Sequence, residues 1–209
     1  MINQPTPPPA GAQTLAPSTK PSRWGPAILW GGVFGAIITV LDVVNNGAYA
    51  FFVVSTLSNA AGPAHSGSVG QFAVVSFVFI AVDLVWFLVT LGLFFLVGIL
   101  VARRNGMVGS ATIGGAIAGA LAGPLGSITG TLFTYLLVIP GGNQAASQVG
   151  ASPFVTASPS QVALSAVGGA LFALVVYGGL GAGLGALGGL LGRSSYEKRH
   201  PLPQPIQQP

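Results

Sequence analysis

Between Ala27 and Leu191 the chain consists of four apolar runs of about 30 residues each, at about 27–55, 72–101, 108–139 and 162–191. About 20 such residues in a helix cross the roughly 30 Å hydrocarbon core of a bilayer. Lipid offers no hydrogen bonds to a bare backbone, so an uninterrupted apolar run of this length spans as an α-helix. The expectation is an all-α polytopic membrane protein: four transmembrane helices, arranged as two antiparallel hairpins in one bundle over residues 24–193. Composition agrees. Charged residues make up 5% of the chain and hydrophobic ones 51%, too few polar groups to cover the surface of a water-soluble domain.

The few charges are placed where topology is decided. Lys20 and Arg23 precede the first run, Arg103 and Arg104 join the second to the third, and Arg193, Lys198 and Arg199 follow the fourth. The other two connections, at about 58–70 and 141–160, contain no Lys or Arg. By the positive-inside rule both termini lie in the cytoplasm of a multi-pass plasma or inner-membrane protein. The net charge of +4 does not point to nucleic acid, because aromatic side chains are not interleaved with these residues. The partner it fits is the anionic headgroup layer of the lipid bilayer. Trp24 and Trp30, near the entry to the first run, fit interfacial anchors.

Residues 1–23 and 194–209 are proline-rich and poor in apolar groups, a composition expected to stay disordered in the cytoplasm. His65 is the only titratable side chain in the two chargeless loops and His200 belongs to the tail; neither makes a metal site. The chain has no cysteine, which removes disulfides and thiol chemistry. Nothing in it calls for a cofactor.

Glycine carries the packing information. Gly115, Gly119 and Gly123 recur every four residues in the third run, Gly181, Gly185 and Gly189 in the fourth, and Gly31 and Gly35 in the first. Steps of four keep small residues on one helix face and let a neighbouring backbone come close. These GxxxG faces predict that spans three and four form a close pair and that span two is the most lipid-exposed. They serve contacts within the chain or a seam to a homo-oligomer or another membrane protein. Pro124 is expected to kink the third span, with Ser127 and Thr129 as candidates to satisfy the freed carbonyl.

Asp42 and Asp83 are the residues that demand a reason. A carboxylate deep in a bilayer costs roughly 2.5–3.5 kcal/mol on insertion scales. At 1.5 Å per residue Asp42 lies about 22 Å beyond Ala27, and Asp83 about 17 Å in from Phe72, near the midplane. Asp42, Asn46 and Tyr49 share a helix face with Asn45 beside them, while Ser76, Asp83 and Thr90 recur every seven residues in the second span. Both polar stripes are expected to point into the bundle. No Lys, Arg or His shares these two spans. Each acid is therefore held neutral as a helix clamp, shares a proton or cation with the other, or is hydrated in a cavity. Trp86 fits plain packing.

No nucleophile–base pair or metal-ligand spacing occurs, so the chain is not expected to be an enzyme. Two functions remain. The first is a small non-catalytic integral membrane protein that packs through its glycine faces with itself or with a larger membrane complex. The alternative is a proton- or cation-coupled transporter or channel component that uses Asp83 and Asp42.

Overall fold

The computed structural model describes residues 24–60, 68–148, 150, 152, 153 and 156–199, the side chains of 60, 68–76 and 79 excepted. The expected disorder of 1–23 and of the tail beyond Arg199, together with His65 and His200, lies outside these residues. Within them the chain is all-helical: α1 (Gly25–Ala60), α2 (Ser68–Asn105), α3 (Val108–Phe133), a π-helical turn (Thr134–Val138), α4 (Ile139–Gln148) and α5 (Pro159–Arg199). α3, the π turn and α4 form one continuous rod, so there are four helices long and apolar enough to cross a membrane, packed in one bundle.

The helices run further than apolar content alone indicates. α1 passes through Asn45, Asn46 and Gly47 without a break, because the Asn46 amide bonds a neighbouring helix and leaves its own backbone alone. α5 continues past Leu191 to Arg199, so residues 194–199 belong to the helix and not to the tail, a correction to the sequence-based boundary. Arg193 Nε donates to Glu197 Oε1 at 2.7 Å across one turn, an exposed pair of the kind that supports a helix end. The third rod likewise passes Ile139 and takes in residues expected to be loop. Its π turn, closed by the Ile139 amide on the Thr134 carbonyl, lies over the carbonyls that the ring of Pro140 would crowd in a regular helix. Pro124 sits inside a continuous α3. The Thr129 hydroxyl bonds the Leu125 and Gly126 carbonyls at 3.0 and 2.9 Å, not the Ala120 carbonyl that the proline frees.

α2 and α3 meet in a tight turn. Gly106 takes φ +69°, and its amide bonds the Ala102 carbonyl at 2.8 Å. That is the left-handed helix stop for which glycine is suited. A side chain at Gly106 would also strike the Tyr196 ring 2.7 Å away.

Packing is closest between α3 and α5, which run antiparallel, and next closest between α1 and α3 and between α2 and α5, which run parallel. α1 and α2, neighbours along the chain, touch far less. Backbones approach at the glycines. A Cβ on Gly115 would run into the Gly181 carbonyl, one on Gly181 into that of Gly115, and one on Gly119 into that of Tyr177. On Gly185 it would sit 2.6 Å from the Ala111 carbonyl, on Gly123 2.7 Å from that of Ala173, and on Gly189 2.7 Å from the Ala111 methyl. Gly31 stands the same way against the Gly114 carbonyl at 2.6 Å, and Gly35 against Leu121 at 3.1 Å. Around these contacts Ile38, Phe94, Val97 and Val101 are fully buried.

This dense packing fills only one half of the bundle, the half that ends at Arg103, Arg104 and Arg193. Towards the other end α2 and α5 draw away, while α1 and the third rod stay in contact. From Gly126 onwards the glycines of the third rod face α1, meeting Asp42, Asn46 and, at Gly141, Val54. α2 over Phe77–Val89 and α5 over Leu164–Val175 are left with most of their large apolar side chains exposed.

Candidate functional site

The separation leaves a cavity of about 730 Å³ between all four rods. Its walls follow the same four-residue steps that carry glycine in the packed half. On the third rod Gly115, Gly119 and Gly123 give way to Ser127, Thr131 and Tyr135; on α5 Gly189, Gly185 and Gly181 give way to Tyr177, Ala173, Ser165 and Gln161, with one more glycine in the row, Gly169, against Ser127. Small residues close the bundle at one end, and polar and aromatic ones line an opening at the other. At 1.5 Å per residue the lined stretch from Gly123 to Ile139 is about 24 Å long. At its floor Gly123 meets Ala173, and the Tyr177 ring packs edge-on against the buried Phe94 with centroids 6.4 Å apart.

α1 contributes Asp42, Asn45 and Asn46, and α2 contributes Asp83, Trp86 and Phe87. The two polar stripes therefore meet. They do so through a residue whose role the sequence does not announce: Trp86 donates its indole Nε1–H to Asp42 Oδ1 at 2.8 Å. Gly126 makes room for that carboxylate, since a Cβ there would lie 2.8 Å from Asp42 Oδ2. One turn further along α1, Asn46 Nδ2 donates to the Gly126 carbonyl at 3.1 Å and to Thr129 Oγ1 at 3.4 Å. Asp42 and Asn46 thus tie α1 to both α2 and α3.

Asp83 is placed differently. It lines the same cavity but is exposed, and its carboxylate has no hydrogen-bond or ion-pair partner among the described residues. The remaining members of the two stripes lie elsewhere. Thr90 is 3% exposed, beside Phe94 in the packed half; Tyr49 is 42% exposed on α1, away from the cavity walls; the Ser76 side chain is outside the described residues.

Four aromatic rings that single-helix stripes do not reveal, those of Trp86, Phe87, Tyr135 and Tyr177, share these walls. A trace of Trp86 is present in the sequence, where it follows Asp83 by three residues and so takes the same helix face. Tyr177 and Tyr135 become visible only when the glycine rows are followed beyond Gly181 and Gly123.

Among the described residues the cavity lining contains no Lys, Arg or His. Its two carboxylates, side-chain amides and hydroxyls make an acceptor-rich pocket, walled partly by aromatic side chains. Such a lining suits a cation or its waters better than an anion. At the opposite end Arg104 lies over the Trp30 ring, 5.4 Å from its centroid, which fixes that tryptophan beside the basic turn. No family model, curated protein or solved structure matches the chain.

Proposed function

We propose that this integral membrane protein is non-catalytic and admits a cation to the cavity between its four helices, as a proton- or cation-coupled transporter or channel component. The observation that carries this is the meeting of Asp42 and Asp83 in one open cavity with no basic side chain among its described lining residues. Were both acids only helix clamps, each would be expected to bond a neighbouring helix. Asp42 does so through Trp86; Asp83 has no such bond among the described residues. An unpartnered carboxylate is costly in a bilayer unless water or a cation reaches it.

Packing with itself or with a larger membrane complex through the glycine faces is the other role for such a chain. The glycines support the cavity more directly: Gly115, Gly119, Gly123, Gly181, Gly185 and Gly189 all have backbone or side-chain atoms of the same chain against them. They hold one half of the bundle shut while the other half stands open. With Arg103, Arg104 and Arg193 on the cytoplasmic side, the cavity opens toward the opposite face of the membrane.

The test is proton and monovalent-cation flux in liposomes containing the purified chain, beside Asp83→Asn and Asp42→Asn variants of matched helicity. Flux in the native chain that Asp83→Asn abolishes is the expected result. Absence of flux from all three proteins contradicts the proposal.

A further inference from the structure

We infer that the cation this cavity takes is a monovalent organic ammonium ion with an apolar body, with Asp83 as its counter-ion and Trp86 as an aromatic wall that Asp42 holds in place. The inference rests on the cation-binding role proposed above and names its ligand class.

Size comes first. A cavity of about 730 Å³ falls within the roughly 300–1,000 Å³ of small-molecule sites. A bare metal ion instead needs several oxygen ligands closing to about 2.0–2.6 Å. No group of three or more His, Cys, Asp or Glu side chains among the described residues is placed to supply them. The lining matches the class equally well. Rings of Trp86, Phe87, Tyr135 and Tyr177 stand in the same walls as the two acids. Aromatic faces attract weakly hydrated ammonium groups and cover the apolar parts of the same molecule.

The two carboxylates divide the work. Asp42 is occupied by the indole N–H at 2.8 Å and, against Gly126, has little room to move. Asp83 has no partner among the described residues, and it stands one turn before Trp86 on the same helix. An ammonium nitrogen paired with Asp83 therefore has the indole that Asp42 orients as its neighbour. One unengaged carboxylate matches one positive charge.

The experiment uses the full chain with Trp24→Phe and Trp30→Phe, which leaves Trp86 as the sole tryptophan. Its fluorescence is titrated with benzyltrimethylammonium and with neopentylbenzene, the neutral carbon analogue of the same shape. The expected result is a saturable change with the ammonium compound and binding of the neutral analogue weaker by about tenfold or more. Asp83→Asn is expected to lose about tenfold or more of the affinity for the cation while that for the neutral analogue stays unchanged. Equal binding of the two compounds, or no binding of the cation, overturns the inference. The comparison of the two compounds needs no change at Asp83, so it decides the matter even if Asp83→Asn fails to fold. Failure of the two proposals is separable. Asp83-dependent flux of protons or inorganic cations without ammonium binding removes the ligand class and keeps the cation role; loss of flux and binding together removes both.

Discussion

Trp86 and Gly126 act on the same carboxylate from two helices, so changes at these two positions are coupled. The indole donates to Asp42 Oδ1 at 2.8 Å, and Gly126 leaves open the space beside Oδ2. Side-chain hydrogen bonds between membrane helices average about 0.6 kcal/mol and reach about 1.7. Trp86→Phe is accordingly expected to cost about 0.6–1.7 kcal/mol of bundle stability. Gly126→Ala puts a methyl group where the carboxylate sits and is expected to displace it from the indole. Because both changes break one hydrogen bond, the double variant is expected to lose about as much as the more damaging single one. A double-mutant cycle by reversible unfolding in detergent checks this, and simple additivity would contradict it. At this scale the sequence is half legible. That Asp42 and Asp83 needed partners follows from their depth alone. Which of them has one depends on Trp86, an apolar-looking residue whose single N–H matters only once α1 stands opposite.

At the scale of elements, the glycines of α3 and α5 sort into those that meet a neighbour and those that do not. Gly181 lies against the Gly115 carbonyl, whereas Gly178, three residues earlier, has nothing within 4 Å of a would-be Cβ. Gly181→Ala must therefore push the α3 and α5 backbones apart, an overpacking cost of about 1–3 kcal/mol. Gly178→Ala is expected to be neutral, or stabilising by up to about 1 kcal/mol through helix propensity. Thermal unfolding of the two variants in detergent distinguishes them; equal effects would mean that these helices do not meet at Gly181. The four-residue glycine rows make the α3–α5 pairing legible in the sequence. The partners of α1 and α2 are not, because a short link suggests a hairpin but contact follows the small residues. Gly31 and Gly35 of α1 turn to α3, while Gly98 of α2 turns to Gly185 of α5. Helix ends were also hidden. Apolar content stops near Leu191, yet α5 continues through eight more residues to Arg199, most of them polar or charged and suited to a helix in water.

For the whole molecule, the arrangement is a bundle closed at the arginine end and open at the other. The closed half follows from Gly, Ala, Val and Phe meeting backbone to backbone; the open half follows from Ser, Thr, Tyr and Gln taking over the same helix faces. The four spans could be read from run length. The cavity could not, since it depends on how α2 and α5 stand towards the α1–third-rod pair beyond Gly123. A bundle of this shape should let water and cations into its cavity from the chargeless end. The chain has no cysteine, so single cysteines can be labelled cleanly. Ser165 lines the cavity, while its neighbour Leu164 is 75% exposed and is not among the lining residues. The measurement is the reaction rate of Ser165→Cys and Leu164→Cys in oriented vesicles with methanethiosulfonates of positive and negative charge. With reagent on the side opposite Arg103, Ser165→Cys is expected to react with the cationic compound about tenfold or more faster than with the anionic one. Leu164→Cys should react with neither. An unreactive Ser165→Cys, or equal rates for the two charges, would contradict cation entry from that end.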